Sequence, residues 1–84
     1  MALEIVFTRQ ALKALVRMPA NDASRVRAKI DQYADDPASL VNNVSRLAGS
    51  DYSRLRVVKY RVIILPDGTI VEIIAIGVRG GIYD

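Results

Sequence analysis

Four cationic side chains lie within eight consecutive residues and are the clearest sign of chemistry in this sequence. Arg54, Arg56, Lys59 and Arg61 occupy the stretch Arg54–Arg61, which contains no acidic residue. A guanidinium stays charged at neutral pH and presents a planar fork of donors that suits phosphate oxygens. The patch therefore favours a polyanion such as nucleic acid as its ligand. The alternative is a solvated strand face that only keeps the sheet soluble.

A second candidate set lies near the C-terminus. Arg79 and Tyr83 are four residues apart and follow Gly77, with the flexible pair Gly80-Gly81 between them. Glycine permits backbone conformations and close approaches that other residues resist. We expect this tail to bring Arg79 and Tyr83 beside the arginines, although both could also be ordinary surface residues.

Composition limits the chemistry that is available. The 84 residues include no histidine and no cysteine, so the usual general base, thiolate nucleophiles, disulfides and most zinc ligands are missing. The chain is 51% hydrophobic and carries a net charge of +3, which is ordinary for a small globular domain. No apolar run reaches the roughly 18 residues of a membrane span. We therefore expect a cytoplasmic protein with no membrane partner and one domain, residues 1–84.

The N-terminal half has the pattern of one strand followed by a helical hairpin. Leu3–Phe7 is a short run with β-branched residues, and Thr8 is a good N-cap for the helix after it. Met18-Pro19 should end that helix, because the residue before a proline avoids the helical conformation. A second amphipathic helix is predicted to begin at an Asn21 or Asp22 cap and to stop at Asp36-Pro37.

The C-terminal half changes to a β pattern after a polar connector over 37–53. Arg54–Val57 alternates polar and apolar residues, and the Val58-Lys59 turn region separates it from Tyr60–Leu65. Asp67-Gly68 is a strong hairpin signal, and Ile70–Ile76 reads as a central strand. The predicted order is β-α-α-β-β-β, an α+β fold with a three-stranded antiparallel meander.

Strand alternation predicts where the arginines point. Arg54 and Arg56 share one face of their strand, while Leu55 and Val57 share the other. If Tyr60, Val62 and Ile64 face the core as well, Arg61 joins Arg54 and Arg56 on the outer face.

Several segments, taken in order, resemble the RelE/ParE superfamily of bacterial type II toxin–antitoxin toxins. They are Arg46-Leu47, Tyr52–Val57, Tyr60–Ile63, Ala75–Arg79 and Ile82-Tyr83. The N-terminal half agrees, with the run F-x-x-x-A-L-K-x-L, a proline and a second helix that ends at Asp-Pro. The resemblance covers essentially the whole chain.

The resemblance implies a RelE-like toxin that cleaves mRNA on the ribosome without a metal or other cofactor. In that branch, basic residues and a C-terminal tyrosine promote attack of a ribose 2′-OH on the neighbouring phosphate. Residue by residue, it assigns this catalytic role to Arg54, Arg56, Arg61, Arg79 and Tyr83. The implied partners are a cognate antitoxin, the ribosome and mRNA.

Two alternatives remain open at this point. A ParE-like toxin would bind and poison DNA gyrase without nuclease chemistry of its own. A plain nucleic-acid-binding domain would use the same basic patch, although only Tyr52 and Tyr83 are expected to be available for stacking on bases.

Overall fold

A five-stranded sheet and two α-helices form the part of the chain that the structure, a computed structural model, describes: residues 2–78. The elements are β1 (Glu4–Phe7), α1 (Arg9–Arg17), α2 (Ala20–Asp35), a 3-10 helix (Pro37–Asn43), β2 (Val44–Arg46), β3 (Ser53–Val57), β4 (Tyr60–Asp67) and β5 (Ile70–Val78). Neither described helix is long and apolar enough to cross a membrane.

The strands lie in the order β1-β5-β4-β3-β2. β3, β4 and β5 form the predicted antiparallel meander, and β1 joins the far side of β5 as a parallel strand. The prediction of an α+β fold with an N-terminal strand, two helices and a meander is confirmed. β5 is therefore central, which explains its nearly continuous apolar sequence.

The connector over 37–53 is more structured than the sequence indicated. It contains the 3-10 helix and also β2, which pairs antiparallel with β3. Val44 packs against the core from this short strand, and that burial holds the strand on the sheet. Gly49, with φ of 75°, supports the reversal of the chain between β2 and β3.

The starts of the two helices differ in how they are capped. The Thr8 hydroxyl accepts a hydrogen bond from the Ala11 amide at 3.2 Å, so the predicted cap of α1 is confirmed. The predicted Asn21 or Asp22 cap of α2 is wrong. Pro19 occupies that position, and its side chain has no atom that could form a capping hydrogen bond. Its extended backbone leads directly into the helix at Ala20. Asp22 lies in the first turn instead.

The main core lies between the helices and one face of the sheet. α2 contributes Val26 and Ile30, and the sheet contributes Leu55, Val57, Tyr60, Val62, Ile64, Val71, Ile73 and Ile76. Tyr60, Val62 and Ile64 thus face inward with Leu55 and Val57, as strand alternation predicted. Pairing between β4 and β5 shifts register at Ile63/Ile64, where Ile74 of β5 has no partner on β4 and forms a bulge.

Candidate nucleic-acid interface

Three arginines share the sheet face that points away from the main core. Arg56 on β3 is the direct cross-strand partner of Arg61 on β4, and Arg54 is paired with Ile63 two positions along. Residues directly opposite each other in an antiparallel pair point to the same face. The structure therefore places Arg54, Arg56 and Arg61 together, and we call this set the arginine face.

The arginine face is not a simple solvated surface. Arg54 and Arg61 are only partly exposed. Ile63, which lies opposite Arg54 and two residues after Arg61, is 1% exposed. Ala75, the partner of Ile63 on β5, is buried as well, and neither residue belongs to the main core. The outer face therefore has an apolar floor beside the arginines, which lowers the local dielectric and strengthens their attraction for an anion.

The Arg56–Arg61 pairing carries an intrinsic cost. Like charges directly opposite on neighbouring strands destabilise a sheet, since their Cβ atoms are about 4.5–5.5 Å apart. A strand pair selected for stability alone would place an opposite charge or a neutral side chain at one position. The arrangement places two guanidiniums on the same face, where both can contact one anion.

A cleft opens at the end of the arginine face where β3 turns into β4. It has a volume of about 330 Å³ and is lined by Arg56, Val58, Lys59, Tyr60 and Arg61. Three of the five lining residues are cationic and none is acidic. We call it the turn cleft.

The two-residue turn at this cleft has a strained backbone. Val58 has a φ of 54°, and it is the non-glycine residue with positive φ in the part of the chain that the structure describes. A β-branched residue in this region is a genuine outlier, because its Cβ crowds the backbone. Positive φ at the first turn position is what a type II′ hairpin turn requires, and glycine is preferred there.

Tyr60 anchors the cleft to α2. Its hydroxyl donates a hydrogen bond of 2.7 Å to Oδ2 of Asp22, and its ring is 6% exposed. The hydrogen bond to Asp22 raises the pKa of Tyr60, and burial and the nearby negative charge act in the same direction. The Lys59 Nζ lies 5.5 Å from the centre of the Tyr60 ring, within cation–π range. The turn is thus tied to the first turn of α2 through Tyr60.

β5 is held in place next to the arginine face by α1. Beyond the end of β1, the Thr8 hydroxyl donates to the Ile74 carbonyl at 2.6 Å. The Gln10 side chain accepts from the Ile76 amide at 3.1 Å and donates to its carbonyl at 3.5 Å. These side chains take the place of a strand on this edge of β5. They fix the strand up to Gly77, which is the partner of Arg61.

The predicted site is thus only partly visible. Arg54, Arg56 and Arg61 lie together as predicted, whereas Arg79 and Tyr83 fall outside the described residues. Sequence reasoning did not assign Lys59 or Asp22 to the site. Lys59 lies within the basic run and could have been included from its position at the turn, but the Tyr60–Asp22 contact spans 38 residues and left no local signal.

A different cleft lies at the opposite end of β4. It measures about 460 Å³ and is lined by Arg46, Asp51, Ser53, Leu65, Pro66 and Asp67. Asp51 pairs with Arg46 at 3.3 Å, and both side chains are mostly exposed. The two acids outnumber the single cation here, so this cleft lacks the positive charge of the turn cleft.

Exposed apolar residues gather on α1 and not on α2. Val16 is 82% exposed and Leu12 is 44% exposed. Together with Arg9, Lys13 and Arg17 they line a shallow groove of about 230 Å³. The helix contains no acidic residue, so this is an apolar stripe bordered by positive charge.

Comparison with solved structures identifies the class of protein that has this fold. The archaeal RelE–RelB complex from Pyrococcus horikoshii OT3 contains a chain that matches with a TM-score of 0.81 and 25% identity, covering 96% of this chain and 99% of that one. The RelBE2 toxin–antitoxin complex from Mycobacterium tuberculosis matches with a TM-score of 0.77 and 19% identity, covering 94% and 100%. The intact RelBE toxin–antitoxin complex of E. coli matches with a TM-score of 0.75 and 20% identity, covering 90% of this chain and 95% of that one.

Family comparison is more specific. Residues 5–83 match the family model described as the ParE toxin of the type II toxin–antitoxin system, parDE. The chain therefore belongs to this family, within the RelE/ParE superfamily of type II toxins. A search of curated proteins found no match. The fold thus resembles solved RelE-type chains, while the sequence matches a family named for ParE.

Proposed function

We propose that this type II toxin is a ribosome-dependent mRNA endonuclease. The observation that carries the proposal is the arginine face, where Arg56 lies directly opposite Arg61 and Arg54 follows on the same side. Three permanent charges on an apolar floor form a site prepared for a phosphate. A surface that only had to contact a protein partner would not require two guanidiniums to face each other at this cost.

The proposed reaction is an internal transfer at one phosphate. The ribose 2′-oxygen attacks the adjacent phosphorus as it loses its proton, the bond to the 5′-oxygen breaks, and that oxygen gains a proton. The products are a 2′,3′-cyclic phosphate and a 5′-hydroxyl. Arginines that surround the phosphate would stabilise the negative charge that develops on its oxygens, and this electrostatic contribution is often the largest in catalysis.

We assign the proton transfers to Tyr83 and further charge stabilisation to Arg79. Both assignments follow from the superfamily resemblance. A phenol has an ordinary pKa of about 10, so it needs nearby guanidiniums to ionise at neutral pH. A weak acid–base group fits an enzyme whose substrate is oriented by the ribosome, since orientation alone can supply much of the rate.

The family match supports a second candidate function. A ParE-like toxin would act on DNA gyrase as a protein-binding poison, and residues 5–83 match the family that carries the ParE name. In that case, the arginine face would contact the gyrase–DNA complex and Tyr83 would have no chemical role.

Expression in bacteria with mapping of both transcript ends and DNA breaks separates the two functions. Wild-type protein should produce codon-phased mRNA cuts, and Arg61→Ala and Tyr83→Phe should abolish them. Arg46→Ala is the matched control, because this arginine lies in the other cleft beside Asp51. DNA breaks with intact mRNA would overturn the nuclease proposal in favour of the gyrase alternative.

We also propose that a cognate antitoxin covers the exposed stripe of α1. The solved relatives named above are complexes of toxin and antitoxin chains. Leu12 and Val16 offer an apolar contact, and Arg9, Lys13 and Arg17 favour an acidic, amphipathic segment. Co-expressed with the antitoxin gene from the same operon, Val16→Glu should weaken the complex at least tenfold, while the exposed Val41→Glu should not. Equal effects of the two changes would reject this docking face.

A further inference from the structure

The turn cleft adds a cation from outside the two strands to the three arginines of the arginine face. Lys59 lies in the turn between β3 and β4 and lines the same concavity as Arg56 and Arg61. No acidic side chain lines this space, whereas the cleft at the other end of β4 contains two. Its volume of about 330 Å³ corresponds to roughly ten waters, enough for a phosphate and part of its hydration shell.

A contact with the Tyr60 ring holds the Lys59 ammonium near the cleft. Its Nζ lies 5.5 Å from the centre of the Tyr60 ring, which gives the charge an aromatic surface to rest on. That ring is itself immobilised, because it is buried and its hydroxyl is bonded to Asp22. Ordering a long side chain in advance lowers the entropy lost when it binds a ligand.

The strained turn supports the same interpretation. Val58 has a positive φ, which glycine would adopt without strain. Backbone strain of this kind tends to persist at binding sites. Because Lys59 follows Val58 directly, the backbone of Val58 sets the direction in which the Lys59 side chain leaves the hairpin.

We propose that the turn cleft is a second phosphate subsite, in which Lys59, with Arg56 and Arg61, binds a backbone phosphate of single-stranded RNA. The inference rests on the proposed function, since it adds a subsite next to the phosphate that the arginine face is proposed to hold. Lys59 acts as a binding residue that fixes the position of the strand along β3 and β4. It recognises phosphate charge and reads no base.

The test is the salt dependence of RNA binding. Wild-type protein is titrated against a short fluorescein-labelled oligouridylate, and against the DNA oligonucleotide of the same length, between about 50 and 200 mM salt. Each phosphate contact contributes about 0.7 to the slope of log affinity against log salt for a single strand. Lys59→Gln should lower the slope by about this amount on both oligonucleotides, and reduce low-salt affinity roughly threefold to tenfold.

Two further variants make the measurement specific. Lys29→Gln removes the same charge from α2, where the Lys29 Nζ contacts the Gln32 side chain, and should leave the slope unchanged. Lys59→Arg retains the charge and should therefore have the same slope as the wild type. Circular dichroism melting establishes that each variant is folded. Absence of RNA binding by the wild type at low salt, or equal slopes for Lys59→Gln and Lys29→Gln, would overturn the subsite.

The failure of this inference can be told apart from failure of the proposed nuclease function. If transcripts are cut on the ribosome and Lys59→Gln has the same RNA-binding slope as Lys29→Gln, the subsite is wrong and the nuclease stands. If the slope depends on Lys59 but no transcript is cut, the phosphate subsite stands and the nuclease function is wrong.

Discussion

Two-residue turns close the hairpins at the opposite ends of β4, and they are built from different residues. Val58-Lys59 joins β3 to β4, and Gly68-Thr69 joins β4 to β5. The first residue of each turn has a similar positive φ, 54° at Val58 and 62° at Gly68. One turn uses glycine, which adopts this conformation without strain, and the other uses a β-branched residue that resists it.

The two ends of β4 also differ in charge. The glycine turn lies at the end that holds Arg46 with Asp51 and Asp67, while the valine turn lies at the end with three cations and no lining acid. Two features at the valine-turn end are unfavourable for stability. They are the positive φ of Val58 and the pairing of Arg56 with Arg61. Features of this kind are common at functional sites, and here they support the proposal that the site lies at this end of β4.

The largest expected effect is on mRNA cleavage by variants at the two ends. Arg61→Ala should lower ribosome-dependent cleavage at least about 100-fold, because removing one preorganised donor to a developing charge costs about that much. Arg46→Ala should stay within about threefold, since an exposed ion pair contributes little. Primer-extension mapping on programmed ribosomes measures both. Comparable losses would show that the charge contrast between the ends has no catalytic meaning.

The next effect concerns stability at the glycine turn. Gly68→Val forces a β-branched residue to adopt φ near 62° and should lower the free energy of unfolding by about 1–2 kcal/mol. A Cβ added at Gly68 meets nothing within 4 Å, so the loss would come from the backbone and not from a clash. Urea unfolding measures it, with Thr69→Ala as the neighbouring control. An unchanged stability would mean that valine is tolerated at either turn without cost.

The reverse substitution at the valine turn should have a smaller effect of opposite sign. Val58→Gly relieves strain of about 1–2 kcal/mol but increases the entropy of the unfolded chain, which costs about 0.5–1 kcal/mol. We expect stability to rise by up to about 1 kcal/mol, while RNA affinity falls because Lys59 is held less firmly. Val58→Ala keeps the positive φ and should leave RNA affinity unchanged. If Val58→Gly binds RNA as well as the wild type, the strain at Val58 does not contribute to RNA binding.

These features show what the sequence could and could not predict. Alternation along β3 and β4 placed Arg54, Arg56 and Arg61 correctly, because side chains on strands follow a fixed period of two. Thr8 was recognisable as a cap for a similar reason, since capping depends only on neighbouring residues. Both predictions involve interactions that are local in sequence.

Other features depend on contacts that are distant in sequence. Asp22 resembled a helix cap, but its carboxylate accepts a hydrogen bond from Tyr60, and the helix starts at Pro19-Ala20 instead. β2 was missed because three residues carry too little pattern for a strand, and its pairing with β3 is what defines it. The strain at Val58 was also invisible, since nothing in the pair Val58-Lys59 signals a positive φ.

The smallest expected effect is a difference in stability at high pH. The hydrogen bond to Asp22 raises the pKa of Tyr60, and burial raises that of Tyr33 in α2. A raised folded-state pKa means that the protonated phenol is stabilised by folding. The contribution is therefore complete below about pH 10, the unfolded value, and is lost as pH rises through the folded value.

Melting temperatures measured from about pH 8 to 11 test this contribution. Tyr60→Phe should melt lower than wild type at pH 8 and should lose less stability than wild type above pH 10. Asp22→Asn should reproduce much of this behaviour, and the double variant should fall little further, because the two side chains act as one pair. Tyr33→Phe is the control for the coupling, because burial alone raises the pKa of Tyr33 and its effect should add to that of Asp22→Asn. If Asp22→Asn and Tyr60→Phe were additive, the hydrogen bond would not be what ties the basic end of β4 to α2.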